Sequence, residues 1–311
     1  MKFKPKKRIP ERKFVQKDNN RKLSHSQNFF KEERDVRKLI SKTDISSSDN
    51  VIEIGSGTGI ITNALLKKAD KVIAIELDET LYNHLKINFK DNDNLKLLNK
   101  NFLDWKPRKY EEYKIFSNIP FNTTADIIKY IVEVINPTPI STYLITQKEA
   151  SEKYILQKDK NSLLSVAYYP IYNIQIIKEI SRFAFSPIPR VSIVLLSIKK
   201  RMSPLIEQGD YVLFKDFVSF CFSSWKKNLK ENLLILLSKK QISKFNEKPL
   251  LKKKPSQLSF DEWILIFNYF KNNADKKGFD DVSGSWRKIK KQQQNLSKRY
   301  RTTRPMRKNN Y

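Results

Sequence analysis

Three of the chain's six glycines fall within five residues, Gly55, Gly57 and Gly59 of EIGSGTG. In a chain so poor in glycine, that clustering is positional. The stretch closes the apolar run NVIEI and opens one with helical spacing, so it reads as a strand-to-helix turn. There the missing side chains permit a tight bend and let a ligand lie against backbone N–H groups at a helix start. An unliganded turn of the same shape is the alternative. The rest of the sequence fits one sheet. NVIEI, KVIAIE, LKLLN, YKIFSN and STYLIT read as short strands rich in β-branched residues and separated by helical stretches, the pattern of a parallel sheet with crossover helices. A helix is predicted around KEASEKYILQ. IYNIQIIKEI and RVSIVLLSIKK, joined by SRFAFSPIP, then lie close enough in sequence to pair antiparallel at one edge. Near MSPLIEQGD the alternation stops, and YVLFKDFVSFCF, NLLILLS and FDEWILIFNYF carry helical spacing. A small helical domain is therefore predicted over about 205–275.

Charge points to a polyanionic partner. The formal net charge is +28, and most of it sits at the two ends. Residues 1–23 hold ten Lys/Arg against Glu11 and Asp18, and residues 282–311 hold ten with no acid. Basic tails on a moderately basic body suit nucleic acid; lysines that only solvate a face are the plainer reading. Neither tail has the amphipathic stripe of a membrane-surface helix, and no apolar run approaches the roughly 20 residues of a membrane span. A single cysteine, Cys221, excludes a disulfide framework or a thiolate cage and fits a reducing, cytoplasmic compartment. His25 and His84 are too few and too scattered for a metal site or a catalytic triad. No metal is expected.

About 20 residues after the glycine turn, Glu76 ends KVIAIE, where a carboxylate can accept hydrogen bonds from both hydroxyls of a ribose. The spacing is neither the GxGxxG of dinucleotide binding nor a P-loop. A nucleoside ligand without a pyrophosphate contact fits best, and S-adenosyl-L-methionine is the obvious candidate.

The stretch NIPFNTT follows the strand YKIF and lies on the same carboxyl edge of the sheet. Its order suits a flat, polar guest better than a core. An adenine exocyclic amine is a poor nucleophile because its lone pair is delocalised into the ring. The Asn118 side-chain oxygen and the Ile119 carbonyl can each accept one of its N–H bonds, which holds the nitrogen and favours the more sp³-like geometry of attack. Pro120 restricts Ile119 to an extended conformation that aims this carbonyl. Phe121 offers a stacking face, worth about 1–3 kcal/mol per base, similar to the few kcal/mol lost when a base leaves its stack.

SQNFF, EIGSGTG, Glu76 in IELD, NKNFLDW, NIPFNTT and FSPIPRV occur in the order and spacing of the ribosomal RNA adenine N6-dimethyltransferases. Over about residues 22–275 the chain most resembles the Erm branch, which modifies an adenine of 23S ribosomal RNA and gives resistance to macrolides, lincosamides and streptogramin B. The NIP form and the short helical region favour that branch over the small-subunit enzymes, which dimethylate two adjacent adenines of 16S RNA. A non-catalytic binder on the same fold is the alternative from another class. The resemblance implies a Rossmann-like class I methyltransferase domain over 23–204 with a mostly parallel seven-stranded sheet. It also implies an all-helical RNA-binding domain over 205–275, with basic tails at 1–22 and, disordered, at 276–311. It implies a monomer acting on 23S RNA with S-adenosyl-L-methionine, free of membrane and metal. Asn28 and Phe30 would border the methionine part of this cofactor, Gly55 and Gly57 would let it lie against the loop, and Glu76 would hold its ribose. Asn118 would touch both cofactor and target amine, while Phe121 and Phe185 would sandwich the flipped adenine. Asn101 stands where the family usually has Asp against the cofactor's adenine, so a charge-assisted hydrogen bond is expected to be missing. Phe121 replaces the commoner Tyr and keeps the stacking face.

Overall fold

The computed structural model describes residues 28–108, 112–223 and 228–292. Residues 1–22, Ser26 and Gln27 of SQNFF, His25 and the chain beyond 292 lie outside the described residues. A two-residue strand β1 (Phe29–Phe30) leads into helix α1 (Glu33–Ile40). The sheet then alternates with helices: β2 (Asn50–Ile54), α2 (Ile60–Leu66), β3 (Lys71–Glu76), α3 (Glu79–Asn88), β4 (Leu95–Asn99), β5 (Lys114–Asn118), α4 (Thr124–Glu133) and β6 (Ser141–Gln147). After α5 (Lys148–Glu152) and α6 (Leu163–Tyr168) come β7 (Tyr172–Ile180), a short β8 (Phe185–Ser186) and β9 (Ile193–Lys200).

Seven strands form one sheet in the order β4-β3-β2-β5-β6-β9-β7. The first five are parallel, and β9 runs antiparallel to both β6 and β7. Central β2 and β5 are buried almost end to end, whereas edge β4 and β7 alternate with exposed positions. That contrast is why the central strands read as unbroken apolar runs. The chain builds outward from β2 through β3 to β4, then restarts on the other side with β5 and β6. This reversal leaves a crevice at the carboxyl ends of β2 and β5, the usual ligand position in such sheets. Both the glycine turn and NIPF open onto it.

The helix predicted over KEASEKYILQ is only the five residues of α5, and α6 forms later. Ser162 caps α6, its hydroxyl accepting from the Ser165 N–H at 3.0 Å while the Ser165 hydroxyl accepts from the Ser162 N–H at 3.0 Å. A serine does here what Glu or Gln usually does in a capping box.

The helices α7 (Tyr211–Ser223), α8 (Leu229–Leu236), α9 (Lys239–Lys244) and α10 (Phe260–Asn273) enclose a second core around Phe214, Phe217, Trp263, Phe267 and Phe270, all fully buried. The two cores meet at α6, whose Val166 belongs to this second cluster and whose Tyr168 belongs to the sheet's. A disordered tail beginning at 276 is corrected by the structure. Helix α11 (Lys276–Val282) packs under α8 so closely that a Cβ on Gly278 would sit 2.6 Å from the Leu236 carbonyl oxygen. Residues 285–292 are also helical and return Trp286 to the sheet's core, edge-on to Tyr168 with ring centroids 5.7 Å apart.

At the opposite end of the sheet from the crevice, Lys114 of β5 donates to the Asp44 carbonyl at 2.7 Å and to Asp49 Oδ2 at 2.9 Å. Lys199 of β9 pairs with Asp44 at 2.7 Å, and Ser141 of β6 donates to it at 2.9 Å. Burial pushes the Asp44 carboxyl up, but hydrogen bonds from Lys199, Ser141 and Tyr143 and the charge of Lys114 outweigh it and hold the group at about 2. A carboxylate depressed below its unfolded value near 3.9 stabilises the fold above that pH and loses the contribution as pH falls through the folded value. Stability by urea denaturation is thus expected to carry a step between about pH 4 and pH 2. Asp44→Asn is expected to be less stable at pH 6 and to show a smaller step, what remains coming from Asp49, held down by the same Lys114; equal slopes in the two proteins would contradict the assignment.

Candidate active site

The glycine turn is held in a conformation few other residues adopt. Gly55, Gly57 and Gly59 have φ of +69°, +56° and +85°. A Cβ on Gly59 would lie 2.7 Å from the Phe89 ring and 2.8 Å from Leu85, so this glycine lets α3 close on the turn. A Cβ on Gly57 would lie 2.7 Å from the Phe29 ring, whereas one on Gly55 would meet nothing within 4 Å, which leaves open space against the backbone there. The turn is anchored from below, the Gly55 N–H donating to the Ile75 carbonyl at 2.8 Å.

Glu76 is 4% exposed and faces the turn. Its Oε2 accepts from the Gly57 N–H at 2.8 Å and its Oε1 from the Asp78 N–H at 2.9 Å. Each carboxylate oxygen keeps further acceptor capacity, so the residue fixes the glycine turn and remains able to accept from a ligand hydroxyl. Beneath the turn, burial pushes the Glu53 carboxyl up to about 8. Thr62 donates to its Oε2 at 2.6 Å, while Glu53 Oε1 and the Ser56 hydroxyl have no hydrogen-bond partner.

Across the crevice, β5 ends on Asn118. Its Nδ2 donates to the Asn28 carbonyl at 2.7 Å. A carbonyl can only accept, so the amide presents its nitrogen to β1 and its Oδ1 remains an acceptor. The Ile54 N–H donates to the Ser117 hydroxyl at 2.6 Å and the Ile119 N–H to the Ile145 carbonyl at 3.3 Å, which ties this strand end to both neighbours. Pro120 is extended, with φ −61° and ψ 134°, and Phe121 opens a 3₁₀ turn with its ring half-buried.

One pocket therefore brings together Asn28, Phe30, Gly55, Gly57, Glu76, Asn118, Ile119 and Phe121 of the residues singled out in the sequence. Two others lie elsewhere. Asn101 is not on the pocket wall, and its Oδ1 caps a 3₁₀ turn by accepting from the Leu103 N–H at 3.1 Å. Phe185 does not close over the pocket either. In β8 it pairs with Phe30, the ring is 1% exposed, and the two ring centroids lie 4.4 Å apart. On the same segment Phe183 is 70% exposed. The two phenylalanines do not share a face because residues 182–184 form a 3₁₀ turn, which breaks strand alternation. Sequence reasoning also passed over Phe29 and Ser56, both on the pocket wall. Strand alternation puts one of Phe29 and Phe30 on that wall, and the packing of Phe30 against Phe185 decides that it is Phe29.

The ribosomal RNA adenine dimethylase family model matches residues 18–272. The chain belongs to that family. It is an rRNA adenine N6-methyltransferase, as the names of its relatives agree. The small-subunit methyltransferase A of Mycoplasmopsis pulmonis is 32% identical over 71% of this chain and 86% of its own length. An rRNA adenine N-6-methyltransferase of Limosilactobacillus reuteri is 29% identical over 81% of this chain and 98% of its own length. Among solved structures, the 23S rRNA methyltransferase ErmE superposes with a TM-score of 0.70 at 22% identity, covering 78% of this chain and all of that one, which establishes the fold. This dimethylase family uses S-adenosylmethionine. The residues present fit that group: Glu76 offers acceptors for ribose hydroxyls, and Gly55 leaves room against the backbone. Among the described residues no group of three or more His, Cys, Asp or Glu could hold a metal ion, and no helix is long and apolar enough to cross a membrane.

Proposed function

We propose that this adenine methyltransferase acts on 23S ribosomal RNA in the cytoplasm and thereby gives resistance to macrolides, lincosamides and streptogramin B. The observation that carries the chemistry is the Asn118 amide, locked by the Asn28 carbonyl so that its Oδ1 is left for a substrate N–H. Bound S-adenosylmethionine supplies an electrophilic methyl group on a sulfonium. Asn118 Oδ1 and the Ile119 carbonyl accept the two N–H bonds of the adenine amine, aligning its nitrogen for in-line attack and stabilising the positive charge that develops. No strong base is needed, because the methylated ammonium is acidic and its proton leaves to water. Phe121 stacks on one face of the flipped base. Phe185 is buried against Phe30 and leaves the other face of the base unassigned.

The choice of 23S over 16S rests on the NIPF form of the motif and the short helical region. Relatives named for the small subunit reach 32% identity, against 29% and 25% for two named rRNA adenine N-6-methyltransferase, so 16S RNA is the second reading. Purified protein, labelled methyl donor and separated 16S and 23S RNAs distinguish them. Label is expected in 23S RNA, with a primer-extension stop at a single tunnel-loop adenine. Label confined to two adjacent adenines of 16S RNA would overturn the 23S assignment.

A further inference from the structure

At the far end of α4 from the pocket, a groove of about 750 Å³ lies between α4, the start of α7 and residues 285–292. Its walls carry Lys129, Lys215, Arg287, Lys290 and Lys291 against one acid, Glu133. That acid is already used. Glu133 accepts from the Tyr168 hydroxyl at 2.7 Å and pairs with Lys290, and its side chain is 9% exposed. Among the described residues, Lys129, Lys215, Arg287 and Lys291 form no ion pair. Lys215 is the most telling of them. It is half-buried, with its ammonium 4.4 Å from the Tyr211 ring centroid and 5.6 Å from that of Trp286. Burial pulls its pKa down, against the opposing charges of Glu133 and Asp216, and the nearby Lys290 adds to the fall. Trp286, 9% exposed, has an indole N–H without an acceptor. Half-buried and exposed cations beside aromatic faces favour an anion with flat neighbours, as along a nucleic-acid strand.

We propose that this groove binds the phosphodiester backbone of the RNA substrate, as a second holding site on the sheet edge opposite the methyl-transfer pocket. The inference deepens the reading of the chain as an RNA methyltransferase and rests on it. The ten residues of α4 separate the two sites by roughly 15 Å at 1.5 Å of rise per residue. At about 3.4 Å per nucleotide, the gripped phosphates lie at least about four nucleotides from the target base. The groove therefore acts only on substrates that extend beyond about four nucleotides from the target base.

The test compares the full chain with its Lys215→Gln/Arg287→Gln/Lys291→Gln variant, and with Arg287→Glu/Lys291→Glu, which changes only exposed positions. Binding to a long rRNA fragment and to a trinucleotide centred on the target adenine is measured from 50 to 200 mM salt, and donor affinity verifies folding. Both variants are expected to bind the long fragment about tenfold more weakly. The salt slope should fall by roughly 0.7–0.9 per lost phosphate contact, with trinucleotide binding unaffected. Unchanged affinity and slope for the long fragment in a folded variant would overturn the proposal. So would equal losses on both RNAs, or competition by polyglutamate as effective as competition by RNA. Failure of the wild-type chain to methylate any RNA would count against the activity reading alone, since the groove is read by binding.

Discussion

Asn118→Ala is expected to lower the rate of methyl transfer by about 10²–10³-fold, or ~2.7–4 kcal/mol, the usual cost of removing one preorganised group aimed at transition-state charge. RNA binding should be retained. The substitution removes the acceptor for the adenine amine and also the hydrogen bond that ties β5 to the Asn28 carbonyl. Asn118→Asp separates these two roles. A carboxylate keeps an acceptor but cannot donate to that carbonyl, so oxygen would face oxygen and the side chain would turn away. Aspartate is thus expected not to rescue activity. Single-turnover transfer at saturating RNA measures both variants, and near-normal transfer by Asn118→Ala would remove Asn118 from the chemistry.

Glu76→Ala is expected to abolish measurable donor binding and to destabilise the protein. The buried N–H of Gly57 and the part-buried one of Asp78 lose their acceptor, and leaving a buried donor such as the first unsatisfied costs about 1–3 kcal/mol. The glycine turn, with three successive positive-φ glycines and a carboxylate tying its centre, has little else to hold its shape. Glu76→Gln keeps one acceptor oxygen and is expected to fall between alanine and wild type. Calorimetry with the donor and thermal unfolding in its absence read the two effects separately. Donor affinity within twofold of wild type in Glu76→Ala would contradict the placement of the ribose.

The sheet and its crevice were legible because buried parallel strands are written as unbroken apolar runs and because glycine was scarce enough for its clustering to mean something. Facing was harder. SQNFF holds two adjacent phenylalanines, and only the pairing of Phe30 with Phe185 decides that Phe29 is the one turned to Gly57. The same pairing buries Phe185, and a 3₁₀ turn leaves Phe183 outside. Asn101 carried a motif position, but a free amide beside a turn finds the nearest backbone N–H, here that of Leu103. At the C-terminal end, charge obscured the fold. Residues 285–292 are mostly polar and read as a tail, yet the one indole of Trp286 reaches Tyr168 and fastens the segment to the sheet's core.

The most direct measurement is a crystal structure with S-adenosylhomocysteine and an adenosine-bearing RNA oligonucleotide bound. The ribose hydroxyls are expected at Glu76, the sulfur facing the end of β5, and the adenine amine hydrogen-bonded to Asn118 Oδ1 and the Ile119 carbonyl over the Phe121 ring. A bound nucleoside seated away from Glu76, or an adenine whose amine points away from residues 118–121, would contradict the account.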